Sequence, residues 1–292
     1  MSAGRFAPSP SGDLHVGNLR TALLAWLWAR RSGRDFLIRV EDLDRVRPGA
    51  EQQQLSDLRA IGLDWDGPVE RQSRRRNRYD AAVARLQDAG RVYECFCTRR
   101  EILEAPTAPH HPPGSYPGTC RGLSAAERDD RRTERPAALR LRAAVAVFAI
   151  EDEIHGTYEG PVDDFVLRRG DGVPAYNLAV VVDDADQGID QVVRGDDLLS
   201  SAPRQALLAT LLGTAPPTYA HVPLALNRAG QRLAKRDGAV TLAELAARDI
   251  DAFELIAGSL GLAGTTPTEL LRTFDPARLP AEPWVFDPPR QC

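Results

Sequence analysis

The chain has 292 residues, which is enough for two or three compact units with a substantial core. Its 37 lysines and arginines nearly balance its 41 aspartates and glutamates, and the net charge of −4 argues against a general nucleic-acid coat while leaving room for a local basic face. No apolar run reaches the ~18 residues that span a bilayer. Residues 1–12 lack the charged and then apolar pattern of a secretory signal, so we expect a cytoplasmic protein with no membrane partner.

The first 90 residues alternate between strand and helix patterns. The spacing of apolar residues predicts, in order, an extended segment at 5–7, a loop of small residues at 8–13, a helix that stops near Gly33, a strand within 35–44, and helices at 49–61 and 75–89. This order is typical of the opening of a parallel α/β sheet that carries helices on its faces.

From residue 91 the composition becomes rich in proline and glycine. The later elements are predicted as a charged helix at 124–134, strands with tight turns through 137–160 and 163–195, a sheet that resumes near Tyr176, a helix at 201–213, a strand at 217–226, and a helical end that becomes proline-rich. The chain is therefore divided into a first half of the α/β unit at 1–90, an insertion at 91–170, a second half at 171–240, and a short C-terminal region at 241–292.

The cysteines are concentrated in the insertion. Cys95, Cys97 and Cys120 lie within 26 residues, whereas Cys292 is the last residue and is treated as incidental. In a reducing compartment such a cluster is a metal site more often than a disulfide framework. The spacing alone leaves a metal site and a set of unrelated buried thiols about equally favoured.

A first candidate site is the loop and helix start at residues 7–18. The loop delivers His15 and Gly17 to a helix N-terminus, where free N–H groups and the helix dipole favour phosphate. Glycine also permits a ligand to approach the backbone closely. The alternative is an ordinary turn that Asp13 caps.

A second candidate is Lys235, the one lysine of the chain, which follows a late strand within a glycine-flanked segment. A lysine is a compact point charge, whereas arginine presents a planar fork. In a chain this rich in arginine, the lysine points to a nucleotide phosphate, although a single surviving lysine is also compatible with chance.

A third candidate is the acidic turn after the strand within 35–44. Glu41, Asp42 and Asp44 follow that strand, and ligands of open α/β sheets bind at the carboxyl ends of strands. A carboxylate there suits an ammonium group or a sugar hydroxyl. The alternative is a solvated turn.

Together these motifs resemble the class I aminoacyl-tRNA synthetases. "HVGN" and "RLAKR" are similar to the two nucleotide motifs of that class, and "RFAPSPSGDLHVGNLRTAL", "RVEDLDR" and "AYNLAVVVDDADQGIDQVVRGDDLL" resemble the glutamyl subgroup. The resemblance covers about residues 5–250. It implies an α/β fold with a Rossmann-type catalytic domain, an inserted zinc-containing α+β subdomain similar to an acceptor-binding domain, and a short helical end.

The end of the chain differs from a full glutamyl-tRNA synthetase, because about 50 residues follow the second motif where an anticodon-binding domain is expected. This resembles the truncated paralogues known as glutamyl-Q tRNA(Asp) synthetases. The resemblance implies a monomer that activates L-glutamate with ATP and Mg²⁺, without tRNA, and transfers it to the queuosine base of tRNA(Asp). The alternatives are a discriminating glutamate–tRNA ligase that charges tRNA(Glu) and a non-catalytic tRNA-binding relic.

The resemblance also assigns residues. It implies catalytic roles for His15 and Lys235, an ATP site that adds Gly17 and Asn18, and one structural zinc ion. The implied glutamate site comprises Arg5, Phe6, Ala7, Pro8, Ser9, Glu41, Tyr176 and Arg194, and the implied zinc ligands are Cys95, Cys97, Tyr116 and Cys120. His110 and His111 compete with Tyr116 as the fourth ligand.

Two positions depart from the family motifs, namely Asn18 in place of a histidine and Ala234 in place of a serine. Asn18 can still donate a hydrogen bond, whereas Ala234 cannot. A basic stretch at 71–78 is a further candidate, either for tRNA phosphates or as a solvated helix face.

Overall fold

The computed structural model describes residues 2–104, 115–233 and 241–287. Within these ranges the strands are β1 (Ala3–Phe6), β2 (Asp35–Val40), β3 (Glu70–Arg71), β4 (Val92–Cys95), β5 (Ala138–Leu141), β6 (Val147–Asp152), β7 (Gly156–Pro161), β8 (Val166–Arg168), β9 (Ile189–Gly195), β10 (Thr218–Val222), β11 (Ala225–Leu226) and β12 (Trp284–Val285). The helices are α1 (Val16–Arg31), α2 (Ala50–Ala60), α3 (Arg76–Asp88), α4 (Arg99–Glu104), α5 (Ala125–Glu134), α6 (Tyr176–Asp186), α7 (Ala202–Leu211), α8 (Leu242–Ala246), α9 (Ala252–Ser259) and α10 (Pro267–Thr273).

The main sheet has seven strands in the order β3-β2-β1-β9-β10-β6-β7. All its neighbours pair in parallel except the β6–β7 hairpin, which is antiparallel. The predicted α/β fold is therefore confirmed. The carboxyl ends of β1, β2 and β9 share one edge, which is where open parallel sheets bind ligands.

Helix α1 packs on this sheet and forms much of the core. Its residues Leu19, Leu23 and Leu27 are fully buried, as their helical spacing predicts. The helix ends where Gly33 takes a φ of 68°, a left-handed conformation that glycine adopts without strain. The predicted helices at 49–61 and 75–89 correspond to α2 and α3. Helices α9 and α10 pack against α1, so part of the C-terminal region completes this core.

The insertion contains a second, antiparallel sheet in the order β4-β5-β8, together with α4 and α5. The hairpin of β6 and β7 lies within the same stretch of sequence but continues the main sheet, because Tyr219 of β10 pairs with Asp152 of β6. The segment predicted as an insertion at 91–170 is thus shared between two sheets. Alternating patterns alone do not say which sheet a strand joins.

The prediction that a strand begins near Tyr176 is wrong, since Tyr176–Asp186 forms α6. The valines at 180–182 favoured a strand because β-branched residues are enriched in strands. This apolar run does not alternate, however, and a short buried run fits a helix equally well. Helix α6 is buried against α3 and α7, and this packing decides its conformation.

Among the described residues, no helix has both the length and the apolar content that crossing a membrane requires.

Candidate active site

His15 begins helix α1 and satisfies its free N–H groups. Its Nδ1 accepts a hydrogen bond from the backbone N–H of Asn18 at 3.3 Å, and the Asn18 Oδ1 accepts one from the backbone N–H of His15 at 3.2 Å. This reciprocal arrangement is a capping box. The Asn18 side chain therefore holds the His15 backbone at the helix start, while the Asn18 backbone N–H holds the imidazole. Asp13 does not cap the helix, so that alternative is wrong.

Gly17 lies where the helix start meets β11. A Cβ atom added to Gly17 would lie 3.0 Å from the Ala225 Cβ and 3.1 Å from the imidazole of His15. These contacts are tighter than ordinary van der Waals separations, so a larger residue would displace either the ring or the strand. Gly17 thus keeps the imidazole close to the helix N-terminus.

The segment that contains Lys235 and Ala234 lies outside the described residues, but both of its flanks are fixed. Leu233 is buried against Val16 and Ala225, and its backbone N–H donates to the Ala225 carbonyl at 3.0 Å. At the other flank, Thr241 forms an isolated antiparallel bridge with His15. The chain on either side of residues 234–240 therefore returns to the start of α1.

A cluster of buried charges lies at the ends of β1 and β2. The Nε and Nη2 atoms of Arg5 lie 3.3 and 3.4 Å from the two carboxylate oxygens of Asp184 on α6. Arg39 is fully buried, and its Nη2 lies 2.7 Å from the Asp184 Oδ1 and 3.9 Å from the Glu41 Oε1. Two arginines thus share the Asp184 carboxylate, and this pairing offsets the cost of burying the charges.

Glu41 is the member of this cluster that has the weakest protein pairing. Its side chain is 11 % exposed, and its nearest cation is 3.9 Å away. Burial raises its pKa to about 7, and Asp184 and Asp183 add to that rise while Arg39 and Arg5 oppose it. A nearly buried carboxylate that lacks a close cation is suited to receive one from a ligand.

The other two acidic residues of the turn have local structural roles. Asp42 accepts hydrogen bonds from the backbone and hydroxyl of Ser73, at 2.7 and 2.5 Å. Asp44 pairs with Arg169 at 3.1 Å. The acidic turn therefore divides into one pocket residue, Glu41, and two surface residues.

The loop from Phe6 to Ser9 forms a wall beside this cluster. The backbone N–H of Glu41 donates to the Pro8 carbonyl at 3.0 Å, and the Gln54 amide donates to the Ser9 carbonyl at 3.0 Å. Phe6 and Pro8 are buried, Ala7 is half-buried, and the Ser9 side chain faces solvent. The loop is thus held by the protein through its carbonyls and leaves the Ser9 hydroxyl exposed.

Tyr176 and Arg194 close the opposite side. Tyr176 is the first residue of α6 and is 41 % exposed, and desolvation together with the Glu41 carboxylate raises its pKa. Arg194 is buried at the end of β9, where its Nη1 donates to Gln205 at 2.8 Å. The pKa of Tyr176 responds to Arg194 and Arg5 as well, so these side chains belong to one electrostatic cluster.

A separate cluster lies in the insertion. The sulfur atoms of Cys95, Cys97 and Cys120 all lie within 4.8 Å of one another, and the Tyr116 hydroxyl is 3.3 Å from the Cys95 sulfur. The Cys97 and Cys120 sulfurs are 3.6 Å apart, close to the edge of about 3.8 Å of a tetrahedron whose zinc–sulfur bonds are about 2.3 Å long. The sulfurs therefore fit a zinc ion.

The surroundings of these thiols differ. Burial raises the pKa of Cys97 to about 12, and the neighbouring Cys95 thiol adds to that rise. Burial also opposes ionisation of Cys120, but the backbone N–H of Phe96 and the Tyr116 hydroxyl lower its pKa overall. Tyr116 is placed as the fourth member by the hydrogen bond that its oxygen accepts from the Cys120 backbone at 2.8 Å. His110 and His111 lie outside the described residues.

The basic stretch at 71–78 separates into two groups. Arg71 pairs with Glu51, and Arg75 pairs with the buried Asp183 at 2.6 Å. Arg74, Arg76 and Arg78 are exposed. The stretch is therefore partly an internal scaffold, and the exposed arginines are the part that remains accessible to a phosphate backbone.

Comparison with known proteins identifies the family of this chain. A model of the catalytic domain of class I tRNA synthetases (E and Q) matches residues 3–279. A glutamyl-Q tRNA(Asp) synthetase from Nocardia farcinica is 70 % identical over 288 residues, which cover 97 % of this chain and 93 % of that protein. The chain belongs to the glutamyl-Q tRNA(Asp) synthetase family of class I. A further member of the family, from Cutibacterium acnes, is 54 % identical over 269 residues that cover 89 % of this chain and 76 % of that protein.

A solved structure supports the family fold. The chain is similar to a glutamate tRNA ligase from Elizabethkingia meningosepticum, which was crystallised in complex with its amino acid, with a TM-score of 0.80 and 27 % identity. The similarity covers 98 % of this chain and 67 % of that chain. Nearly the whole of this chain therefore shares its fold with the larger ligase.

Sequence reasoning missed several residues that build the site. Arg39 and Asp184 lie within motifs already quoted for the family, but no role was predicted for either of these buried residues. His221 and Asp152 are also fully buried at the side chain and pair at 2.6 Å. Ionisable residues inside apolar strands and helices are the signal that could have indicated them, because such residues are rarely buried without partners.

Proposed function

We propose that this protein is a ligase-type enzyme that activates L-glutamate with ATP and transfers the glutamyl group to the queuosine base at the wobble position of tRNA(Asp). The proposal is supported above all by the 70 % identity that extends over both the pocket and the helix start. The comparisons do not favour a glutamate–tRNA ligase that charges tRNA(Glu) or a non-catalytic relic.

In the first step the α-carboxylate of glutamate attacks the α-phosphorus of ATP, and pyrophosphate leaves. Such a reaction requires positioning and neutralisation of charge more than covalent help from the protein. His15 and the α1 N-terminus face the phosphates, and Gly17 and Asn18 hold the imidazole there. Lys235 adds a positive charge from the segment whose flanks return to His15. Mg²⁺ that accompanies ATP would further neutralise the phosphate oxygens.

The glutamate site uses opposite charges at its two ends. Arg5 directs its Nε and Nη2 at Asp184, which leaves Nη1 for the side-chain carboxylate of the substrate. Glu41 binds the α-ammonium group, because that ligand supplies the close cation that the protein does not. Tyr176, Arg194 and the backbone from Phe6 to Ser9 form the walls.

In the second step a hydroxyl of the queuosine cyclopentene ring attacks the carbonyl carbon of glutamyl-adenylate. The bond from that carbon to the phosphate oxygen breaks, AMP leaves, and the hydroxyl proton is released to the phosphate or to solvent. Arg74, Arg76 and Arg78 are the exposed arginines that we assign to the tRNA backbone, where each phosphate contact makes binding weaken with salt.

The cysteine cluster is assigned to one structural zinc ion held by Cys95, Cys97, Tyr116 and Cys120. Four protein ligands leave no open position, which is typical of structural rather than catalytic zinc. When bound, the ion would link the turn after β4 to the loop before α5 and so stabilise the insertion.

The activation step is tested by pyrophosphate exchange. The purified protein should exchange labelled pyrophosphate into ATP when glutamate is present and tRNA is absent, and aspartate and glutamine should not replace glutamate. Radioactive glutamate should then be retained by tRNA(Asp) that contains queuosine and not by tRNA(Asp) that contains unmodified guanosine at that position. Exchange that requires tRNA(Glu) would contradict the proposal.

A further inference from the structure

Arg194 is held by a chain of buried hydrogen bonds that crosses three strands of the main sheet. Its Nε donates to the His221 Nε2 at 3.0 Å, and the His221 Nδ1 lies 2.6 Å from the Asp152 Oδ2. Arg194 and His221 are direct partners in the parallel pairing of β9 and β10, and Asp152 ends the next strand, β6. The side chains of His221 and Asp152 are 0 % exposed.

The donors and acceptors in this chain fix the proton positions. An arginine Nε–H can only donate, so the His221 Nε2 must accept and carries no proton. The remaining ring proton is therefore on Nδ1, which donates to Asp152. Asp152 is held in turn by the backbone N–H groups of Ile154 and His155, at 2.9 and 3.0 Å. His221 is thus neutral, and burial lowers its pKa in agreement with that state.

The same contacts orient the guanidinium. Its Nη1 donates to Gln205 at 2.8 Å and its Nη2 to the Leu198 carbonyl at 3.3 Å, while the group lies 5.3 Å from the centre of the Tyr219 ring. The protein therefore holds three of the five N–H donors, and one N–H remains on each terminal nitrogen. Gln205 also donates to Asn177 at 3.0 Å, which connects the chain to the residue after Tyr176.

We propose that His221 and Asp152 are positioning residues for glutamate binding, which set the proton pattern that holds the free edge of the Arg194 guanidinium toward the substrate. This rests on the proposed function, in which Arg194 is a wall of the glutamate site. The residues act through Arg194 and do not touch ATP. Their loss therefore raises the KM for glutamate and leaves the KM for ATP unchanged.

A matched pair of substitutions separates the two hydrogen bonds of His221. In His221→Asn the side-chain amide keeps a donor near the Nδ1 position, but no acceptor reaches Arg194. In His221→Gln an oxygen near the Nε2 position still accepts from Arg194. We expect the KM for glutamate in pyrophosphate exchange to rise about tenfold in His221→Asn, because a hydrogen bond to a charged group is lost, and to rise less than threefold in His221→Gln.

Trp26→Phe is the control for the loss of a partly buried hydrogen bond outside the pocket. The Trp26 indole donates to Asp64 at 2.7 Å on the distal part of α1, so this variant should lower the melting temperature without changing either KM. If His221→Asn does not fold, Asp152→Asn decides the question, because an amide NH2 would then face N–H donors whose hydrogen bonds both Asp152 oxygens now accept, which loosens the imidazole and should also raise the KM for glutamate selectively.

Three results would overturn the proposal: an unchanged KM for glutamate in a folded His221→Asn or Asp152→Asn variant, an equal rise in the KM for ATP, or equal effects of His221→Asn and His221→Gln. The ¹⁵N spectrum of His221 gives a readout that is independent of activity. It should show a neutral ring with the proton on Nδ1 at pH 7, and a proton on Nε2 would contradict the proposal. Failure of the wild type to use glutamate would instead contradict the proposed function.

Discussion

The proposed glutamate pocket and the cysteine cluster differ in how their ionisable side chains are paired. In the pocket, Asp184 is shared by Arg5 and Arg39, so the charges are paired by the protein itself. In the cluster, three thiols face one another and the Tyr116 hydroxyl, and burial raises the pKa of Cys97. A thiolate trio would be costly there without a cation. The pocket is therefore organised before its ligand arrives, whereas the cluster would need the zinc ion that we propose for it.

The largest effect is expected where the fold depends on the metal. Cys97→Ser should lose the zinc ion, which the wild type should contain at one per chain by elemental analysis. The insertion should become protease-sensitive, while glutamate-dependent exchange stays within about threefold of the wild type, because the site chemistry lies on the main sheet.

Cys292→Ser is the matched control, since this cysteine is distant in sequence from the cluster, and it should retain the full zinc content. A wild-type protein without zinc, or an equal loss of zinc in the two variants, would contradict the proposed zinc site.

The next effect concerns Lys235, the residue that we propose for the phosphate side of the pocket. Lys235→Ala should reduce exchange by about 100- to 1,000-fold with an unchanged melting temperature, because positive charge directed at the reacting phosphate acts mainly in the transition state. Lys235→Arg should recover only part of the activity, since a planar fork replaces a point charge. Wild-type exchange in Lys235→Ala would show that the chemistry does not need this residue.

A third test breaks the internal pairing of the pocket. Asp184→Asn should lower the free energy of unfolding by about 3–5 kcal/mol, because it leaves Arg5 and Arg39 buried without their shared carboxylate. It should also raise the KM for glutamate.

The matched control here is Asp190→Asn, which breaks the half-exposed pair with Arg34 and should cost about 0–1 kcal/mol in urea unfolding. Similar losses in the two variants would mean that the pocket is not organised by its own charges.

The smallest effect is a pH dependence. The pKa of Glu41 is raised to about 7, so the carboxylate that we propose for the ammonium group is ionised above that pH and protonated below it. The kcat/KM for glutamate should therefore fall about tenfold between pH 8 and pH 6, as expected for a single group that titrates at about 7. Glu41→Gln should be weaker throughout and should lack this dependence, and an identical pH profile in that variant would exclude Glu41 as the titrating group.

Much of the fold follows from local patterns. The strand β2 and helices α1, α2 and α3 have regular periodicity and clear stops, and their predictions are confirmed. Helix α6 was missed because its valines favour a strand while its packing enforces a helix. The β6–β7 hairpin was assigned to the insertion because sequence does not reveal that Asp152 lies beside β10.

The site residues also fall into those that the sequence predicts and those that it does not. Residues that would touch substrate, such as Glu41, could be found from motifs. Residues that hold them in place, such as Asp184 and His221, could not, because a buried charge looks the same in sequence as an exposed one. Their partners are 179 and 27 residues away along the chain, for Arg5–Asp184 and Arg194–His221 respectively, and only the folded sheet brings them together.

The most direct test of the proposed function is the position of the glutamyl group on the tRNA. Queuosine-containing tRNA(Asp) is incubated with the protein, ATP and radioactive glutamate and is then cut with a base-specific ribonuclease at mild acidic pH. The label should be found on the anticodon-loop fragment, and it should persist when the tRNA lacks its 3′-terminal adenosine. Label confined to the 3′ adenosine would contradict the account.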